Sequence, residues 1–303
     1  MRRMTAAEMS LTDELRPAWR RLDEAERARE YSPSSKAPNF RAILSDYRAR
    51  SHAAMLRLPP PTLLRYGPDD AQRIVLFEPT DGATDMLVVY FHGGYWQELS
   101  PDDSLFPAVH FIARRVAYAA VGYTLAPRAT LRQIVEQAAE AVSALRRFTA
   151  ASRMAAPRIV IAGSSAGAHL AAMLLTLDWG ARAPETPPFD GAILLSGIYD
   201  LRPIVGTYIN EALQLDERDA FALSPQYRPL RAKVPVTVCW GEHETDEFRR
   251  QSRNLVGRLA RNGLLCAAGE IPVRNHFDLV LDLGVAGSSL DRRIASLLGQ
   301  SKH

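Results

Sequence analysis

The chain has 303 residues, 47% of them hydrophobic and 23% charged, a balance that excludes a disordered or fibrous protein. That length fits one large α/β domain with a sizeable core. The formal net charge is +3, from 37 basic and 34 acidic residues with no block of one sign, so a sequence pI near 8.9 does not signal a nucleic-acid or membrane surface. Residues 1–58 read as charged helices. Leu11, Leu15, Trp19 and Leu22 recur at helical spacing, and a second helical run over 40–58 is stopped by Pro59-Pro60-Pro61. Short strands are predicted at 63–66 and 74–77. Two continuous apolar runs follow, 86–91, which ends in His92-Gly93-Gly94, and 116–123. Residues 130–148 form an amphipathic pattern in which Leu131, Ile134, Val135, Ala138, Val142 and Leu145 share a face, with Thr130 and Gln133 suited to a capping box.

The alternation continues with a strand at 158–162, a helix at 166–177 and strands at 192–196 and 234–240. A helix over 247–261, a strand near 265–273 and a helix from Ser289 complete it. Apolar strands alternating with amphipathic helices predict an α/β fold, a mostly parallel sheet covered on both faces. Residues 201–229 break the rhythm and read as a small helical insert over the sheet. The whole chain reads as one domain (1–303), with 1–60 as an N-terminal helical extension. Cys239 and Cys266 are too few for a disulfide framework or a zinc site, and both lie in apolar runs where buried structural thiols are expected. The arginines near the N-terminus have no apolar core behind them, as a signal peptide would require. The longest uncharged stretch, 159–177, is interrupted by Gly163, Ser164, Ser165, Gly167 and His169, and suits a strand–turn–helix unit better than a membrane span. The expectation is a soluble, cytoplasmic protein.

Gly163-Ser164-Ser165-Ala166-Gly167 fits G-x-S-x-G and joins an apolar strand to an Ala-rich helix. That context predicts a sharp turn lifting the Ser165 hydroxyl above the sheet as a nucleophile, with Ser164 pointing the other way. The glycines suit an earlier strand end, His92-Gly93-Gly94, where backbone N–H groups of Gly93 and Gly94, with that of Ala166, would form an oxyanion hole. His92 is expected to be a structural hydrogen-bonding residue beside it. Of the seven histidines, His276 follows the last strand and is the candidate base. Glu242, Glu244, Asp246 and Glu247 crowd the loop after the preceding strand, and spacing alone does not choose between Glu244 and Asp246. Asp200 is an outside candidate. The chain order Ser, acid, His is that of α/β-hydrolases.

These residues resemble kynurenine formamidases (arylformamidases) among the esterase/lipase-type α/β-hydrolases. The resemblance rests on Tyr31-Ser32-Pro33-Ser34, His92-Gly93-Gly94-Tyr95-Trp96, Gly122-Tyr123-Thr124-Leu125-Ala126-Pro127 and residues 163–170. It extends to Ser196-Gly197-Ile198-Tyr199-Asp200-Leu201, residues 241–248 with Gln251-Ser252-Arg253, and His276-Phe277-Asp278. It implies an α/β-hydrolase fold, places the family's acid on Glu244 where Asp is usual, and finds Ser164 where His is frequent. It further implies a serine hydrolase that cleaves a small aryl formamide or ester, best matched to N-formylkynurenine, without metal or organic cofactor. Tyr95, Trp96, Tyr199 and Tyr208 are candidates for an aromatic substrate wall. A carboxylesterase or lactone hydrolase, or an acyltransferase, would use the same triad. A non-catalytic binding member of the fold would usually lack the nucleophile or the base, and both are present. The expected partner is a small-molecule substrate, with no nucleic acid and no membrane; a homodimer stays open.

Overall fold

The structure is a computed structural model that describes residues 18–80, 84–152, 157–181 and 186–299. Leu11 and Leu15 of the first expected helix lie outside these residues; Trp19 is buried in a short 3-10 turn, Ala18–Arg21. Helices α1 (Glu24–Glu30) and α2 (Phe40–Arg57) follow, α2 giving way at the triple proline as expected. Strands β1 (Thr62–Arg65), β2 (Arg73–Phe77) and β3 (Met86–Phe91) come next, then the short helix α3 (Ala108–Ile112), β4 (Ala117–Val121) and α4 (Leu131–Ala151). The second half runs β5 (Arg158–Ser164), α5 (Ala166–Leu174), β6 (Gly191–Leu195), the short helices α6 (Asn210–Leu213) and α7 (Glu217–Ala222), and β7 (Val236–His243). Helix α8 (Asp246–Arg261), β8 (Leu265–Asn275) and α9 (Ser289–Ile294) close it.

Among the described residues eight strands form one sheet in the order β1-β2-β4-β3-β5-β6-β7-β8. β2 runs antiparallel to both its neighbours, and from β4 to β8 every pairing is parallel. Side chains alternate across a strand, so each central strand feeds two cores. Leu87, Val89 and Phe91 of β3 with Ile159 and Ile161 of β5 pack on one face, against α4 and α5. Val88 and Tyr90 with Val160 and Ala162 pack on the other, with Ile43 and Tyr47 of α2 and Leu290 and Ile294 of α9. This two-sided burial is why these strands read as unbroken apolar runs. All six predicted apolar positions of α4 are buried, and both bonds of the Thr130–Gln133 capping box are made.

Residues 201–229 fold as two 3-10 turns around α6 and α7. One expectation is corrected. Cys239 is buried in β7, but Cys266 is exposed: it lies on β8, the edge strand of the described sheet, at a register shift where Leu265 pairs with Val236 and Ala267 with Thr237, so Cys266 bulges out of the ladder. No helix among the described residues is long and apolar enough to cross a membrane.

Candidate active site

Parallel strands bring their C-terminal ends to one side of the sheet, and β3, β5, β7 and β8 each end there in a polar loop. Ser165 occupies the turn between β5 and α5 with φ 56° and ψ −119°, a conformation that a non-glycine residue adopts only at a cost of about 1–3 kcal/mol. The turn is held on both sides: the Ser165 N–H donates to Leu195 O (2.9 Å), and its carbonyl accepts from His169 N (3.1 Å). A Cβ on Gly163 would collide with the backbone of Gly167, and one on Gly167 with the carbonyls of Phe91 and His92. Both glycines are therefore required by close backbone approach, not by chain flexibility. Ala166 is the first residue of α5, so its N–H has no partner inside the helix.

The loop after β3 is oriented by a buried aromatic pair. Tyr123 stacks on His92 with ring centroids 4.2 Å apart, and its hydroxyl donates to His92 O (2.9 Å). His92 Nδ1 contacts Gly93 O (2.9 Å). In a trans peptide the N–H points opposite the C=O. Pinning these two carbonyls turns the N–H groups of Gly93 and Gly94 away from Tyr123. Gly93 also packs against Ser165, since a Cβ there would lie 3.4 Å from the Ser165 Cβ. Burial lowers the His92 pKa to about 4, so the ring stays neutral, in keeping with the structural role expected of it.

His276 follows β8 and is buried, and its Nδ1 lies 3.1 Å from Glu244 Oε2. The other oxygen of Glu244 accepts from Ser196 Oγ (2.5 Å) and from Gly241 N (2.6 Å). With Nδ1 donating to the carboxylate, Nε2 is left with its lone pair, the tautomer that can accept a proton. Phe248 packs edge-on against the imidazole, centroids 4.6 Å apart. Of the acids left open by spacing, only Glu244 reaches His276. Asp246 is the first residue of α8 with its side chain 90% exposed, and Asp200 is engaged by Arg202 and Tyr227. Ser196 and Phe248 lie in stretches that carry the family resemblance, but no role is legible for either in the sequence, since their partners, Glu244 and His276, lie far away in the chain.

Ser165 and His276 open onto one cavity of about 260 Å³, shared with Gly93 and Gly94. Its apolar wall includes Phe40, Leu44, Phe106, Phe277 and Val280. Of the four aromatic residues expected to face substrate, Tyr95 and Tyr208 line it. Trp96 and Tyr199 do not: both are fully buried, Trp96 edge-on to His169 and Tyr199 in the core beside Gly197. Ser164 also departs from expectation. It continues the Val160–Ala162 side of β5, toward Tyr90, and the cavity reaches down that side far enough to include both residues. No cluster of three or more His, Cys, Asp or Glu suited to a metal ion occurs among the described residues.

Residues 88–277 match the α/β-hydrolase fold family. The chain is 33% identical to the kynurenine formamidase of Danio rerio over 299 residues, 93% of this chain and 99% of that protein. It is 33% identical to the kynurenine formamidase of Salmo salar over 300 residues, with the same coverage of 93% and 99%. Among solved structures, a protein of a Silicibacter species assigned as a thioesterase superposes with a TM-score of 0.76 at 27% identity, over 88% of this chain and 97% of that one. A mostly parallel eight-stranded sheet, a strained serine turn after its fifth strand and full-length likeness to these enzymes lead to one conclusion: the chain is a hydrolase that belongs to the kynurenine formamidase family of α/β-hydrolases.

Proposed function

We propose that this hydrolase deformylates an aryl formamide of the N-formylkynurenine type, with Ser165, His276 and Glu244 as its catalytic triad. The observation that carries the reading is the Glu244–His276 hydrogen bond beside a cavity that also contains Ser165. The names and full-length similarity of the two fish enzymes support the substrate class. His276 Nε2 takes the proton of the Ser165 hydroxyl as Oγ bonds to the formyl carbon. The N–H groups of Gly93, Gly94 and Ala166 hold the oxyanion, each such donor contributing on the order of 3–4 kcal/mol to the transition state. The imidazolium then protonates the departing aromatic amine as the C–N bond breaks. Water, activated by the same imidazole, releases formate and restores Ser165. Glu244, accepting from Nδ1, keeps the imidazole in the required tautomer.

A formyl group needs almost no acyl pocket, and the apolar wall of Phe40, Leu44, Phe106 and Phe277 suits an aromatic leaving group. The chain acts as one α/β-hydrolase domain, with residues 1–60 as its N-terminal extension and 201–229 as a small cap supplying Tyr208. Hydrolysis of N-formylkynurenine and p-nitrophenyl acetate by wild type and Ser165→Ala tests the reading. A preference for the formamide, lost by a factor on the order of 10⁴ in kcat in the variant, is expected. Ester turnover without formamide turnover would make the protein a carboxylesterase, and activity surviving in Ser165→Ala would overturn the triad.

A further inference from the structure

The Tyr31-Ser32-Pro33-Ser34 stretch lies far from the other site residues in sequence, yet it is fastened to both sides of the cavity. Tyr31 is fully buried; its hydroxyl donates to Glu247 Oε2 (2.5 Å) and accepts from Gln251 Nε2 (3.0 Å). Arg250 holds Glu247 through both carboxylate oxygens. Beside it, Thr245 Oγ1 donates to Glu30 O (2.6 Å) and Glu247 N to Glu30 Oε2 (3.2 Å). These bonds anchor the segment to the start of α8. From that anchor it reaches across to two tyrosines of the cavity. The Tyr95 hydroxyl donates to Tyr31 O (2.5 Å), and Ser32 Oγ lies 2.7 Å from the Tyr208 hydroxyl. Pro33 and Ser34 themselves line the cavity. Burial and the Glu247 carboxylate raise the Tyr31 pKa well above 10, so its hydroxyl remains a donor at any working pH.

We infer that residues 31–34 are a substrate-positioning wall that locks the Tyr95 and Tyr208 rings in place and thereby sets which leaving group the site accepts. The inference rests on the proposed serine-hydrolase reading. Tyr208 is more than half exposed and sits on the 201–229 insert, so without Ser32 its ring is free to turn away from the cavity. Tyr95 is tied to the same segment through its hydroxyl. A large aromatic leaving group must rest against these rings, whereas a small ester need only reach Ser165. Positioning residues of this kind act on binding of the large substrate and not on the chemistry. Tyr31 itself is a poor probe, because its ring also packs toward Phe248, which contacts His276.

Ser32→Ala removes the bond to Tyr208 together with the bond from Ser32 Oγ to Ala28 O (2.6 Å), and Tyr95→Phe removes only the bond to Tyr31 O; the two are made singly and together, and both keep the backbone. KM and kcat are measured for N-formylkynurenine and p-nitrophenyl acetate, with labelling of Ser165 by a fluorophosphonate to count competent sites and thermal melting to verify the fold. Each single variant should raise KM for N-formylkynurenine about 3- to 10-fold, the factor matching one net hydrogen bond, with the formamide-to-ester ratio of kcat/KM falling by the same factor. An unchanged ratio, or a kcat loss shared equally by both substrates, would overturn the proposal. If wild type does not cleave N-formylkynurenine, the substrate reading fails alone. The wall is then tested by 2-naphthyl acetate against p-nitrophenyl acetate, whose kcat/KM ratio must shift in the same variants.

Discussion

Replacing Glu244 by Gln isolates what the buried carboxylate does. Glu244 accepts three hydrogen bonds, from Ser196 Oγ and Gly241 N at one oxygen and from His276 Nδ1 at the other. Glutamine offers one oxygen and one NH2. The oxygen is retained by Ser196 and Gly241, the two shorter bonds and both from donors. The NH2 therefore faces Nδ1, and two donors cannot share a hydrogen bond. The imidazole must move its proton to Nε2, leaving no lone pair there for the Ser165 proton. The fold is otherwise undisturbed, because side-chain volume and two of the three bonds are kept. The expected loss is on the order of 10⁴ in kcat, as for the equivalent change in other triads, or about 5 kcal/mol in the barrier. KM should change little, and the melting temperature should fall by only a few degrees, roughly what one weakened charged hydrogen bond of 1–2 kcal/mol produces. Steady-state kinetics with N-formylkynurenine and p-nitrophenyl acetate, beside Asp246→Asn, provide the assay. A Glu244→Gln enzyme within tenfold of wild type in kcat would refute the claim that this carboxylate sets the tautomer, as would a comparable loss in Asp246→Asn.

Gly163→Ala and Gly167→Ala should each prevent recovery of soluble, active protein, because the new methyl meets backbone that cannot yield, whereas Gly263→Ala, at φ 67° with open space around it, should cost only about 1–2 kcal/mol by chemical denaturation. Equal stability of all three would contradict the packing described for the serine turn. Burial lowers the pKa of both His92 and His169 to about 4, so the unfolded chain binds two more protons than the folded one as pH drops from about 6.5 toward 4. Stability should therefore decline across that window, by about 3 kcal/mol for each ring at its acid end, and stay level between pH 7 and 8. A denaturation midpoint that does not move between pH 6.5 and 4.5 would show that these rings are not held neutral.

Much of the architecture is determined by local chemistry and is legible in the sequence. Met86–Phe91 forms its strand over those same residues because six successive apolar side chains require burial on both faces, and α4 follows from a 3.6-residue apolar period with its capping box. Ser165 and His276 stand out in the sequence as candidates because glycine spacing and chain order carry a steric meaning. Contacts between distant segments have no such local signature. The choice of Glu244 over Asp246 depends on which carboxylate lies within reach of a ring 32 residues away, and the anchoring of that carboxylate by Ser196 depends on β6 and β7 being neighbours. Trp96 and Tyr199 share the aromatic character of Tyr95 and Tyr208, yet the turn after Gly94 sets Trp96 against His169 and Tyr199 packs in the core beside Gly197. Ser164 meets the cavity, and Cys266 meets solvent, because of how far one pocket extends and where the edge strand bulges. Periodicity, glycine spacing and chain order are properties of residue order alone, and they make the fold class and the candidate nucleophile and base readable without a structure. Which carboxylate lies beside His276, what walls the cavity and how residues 31–34 reach across it depend instead on distances between segments, which residue order does not encode and the three-dimensional fold supplies.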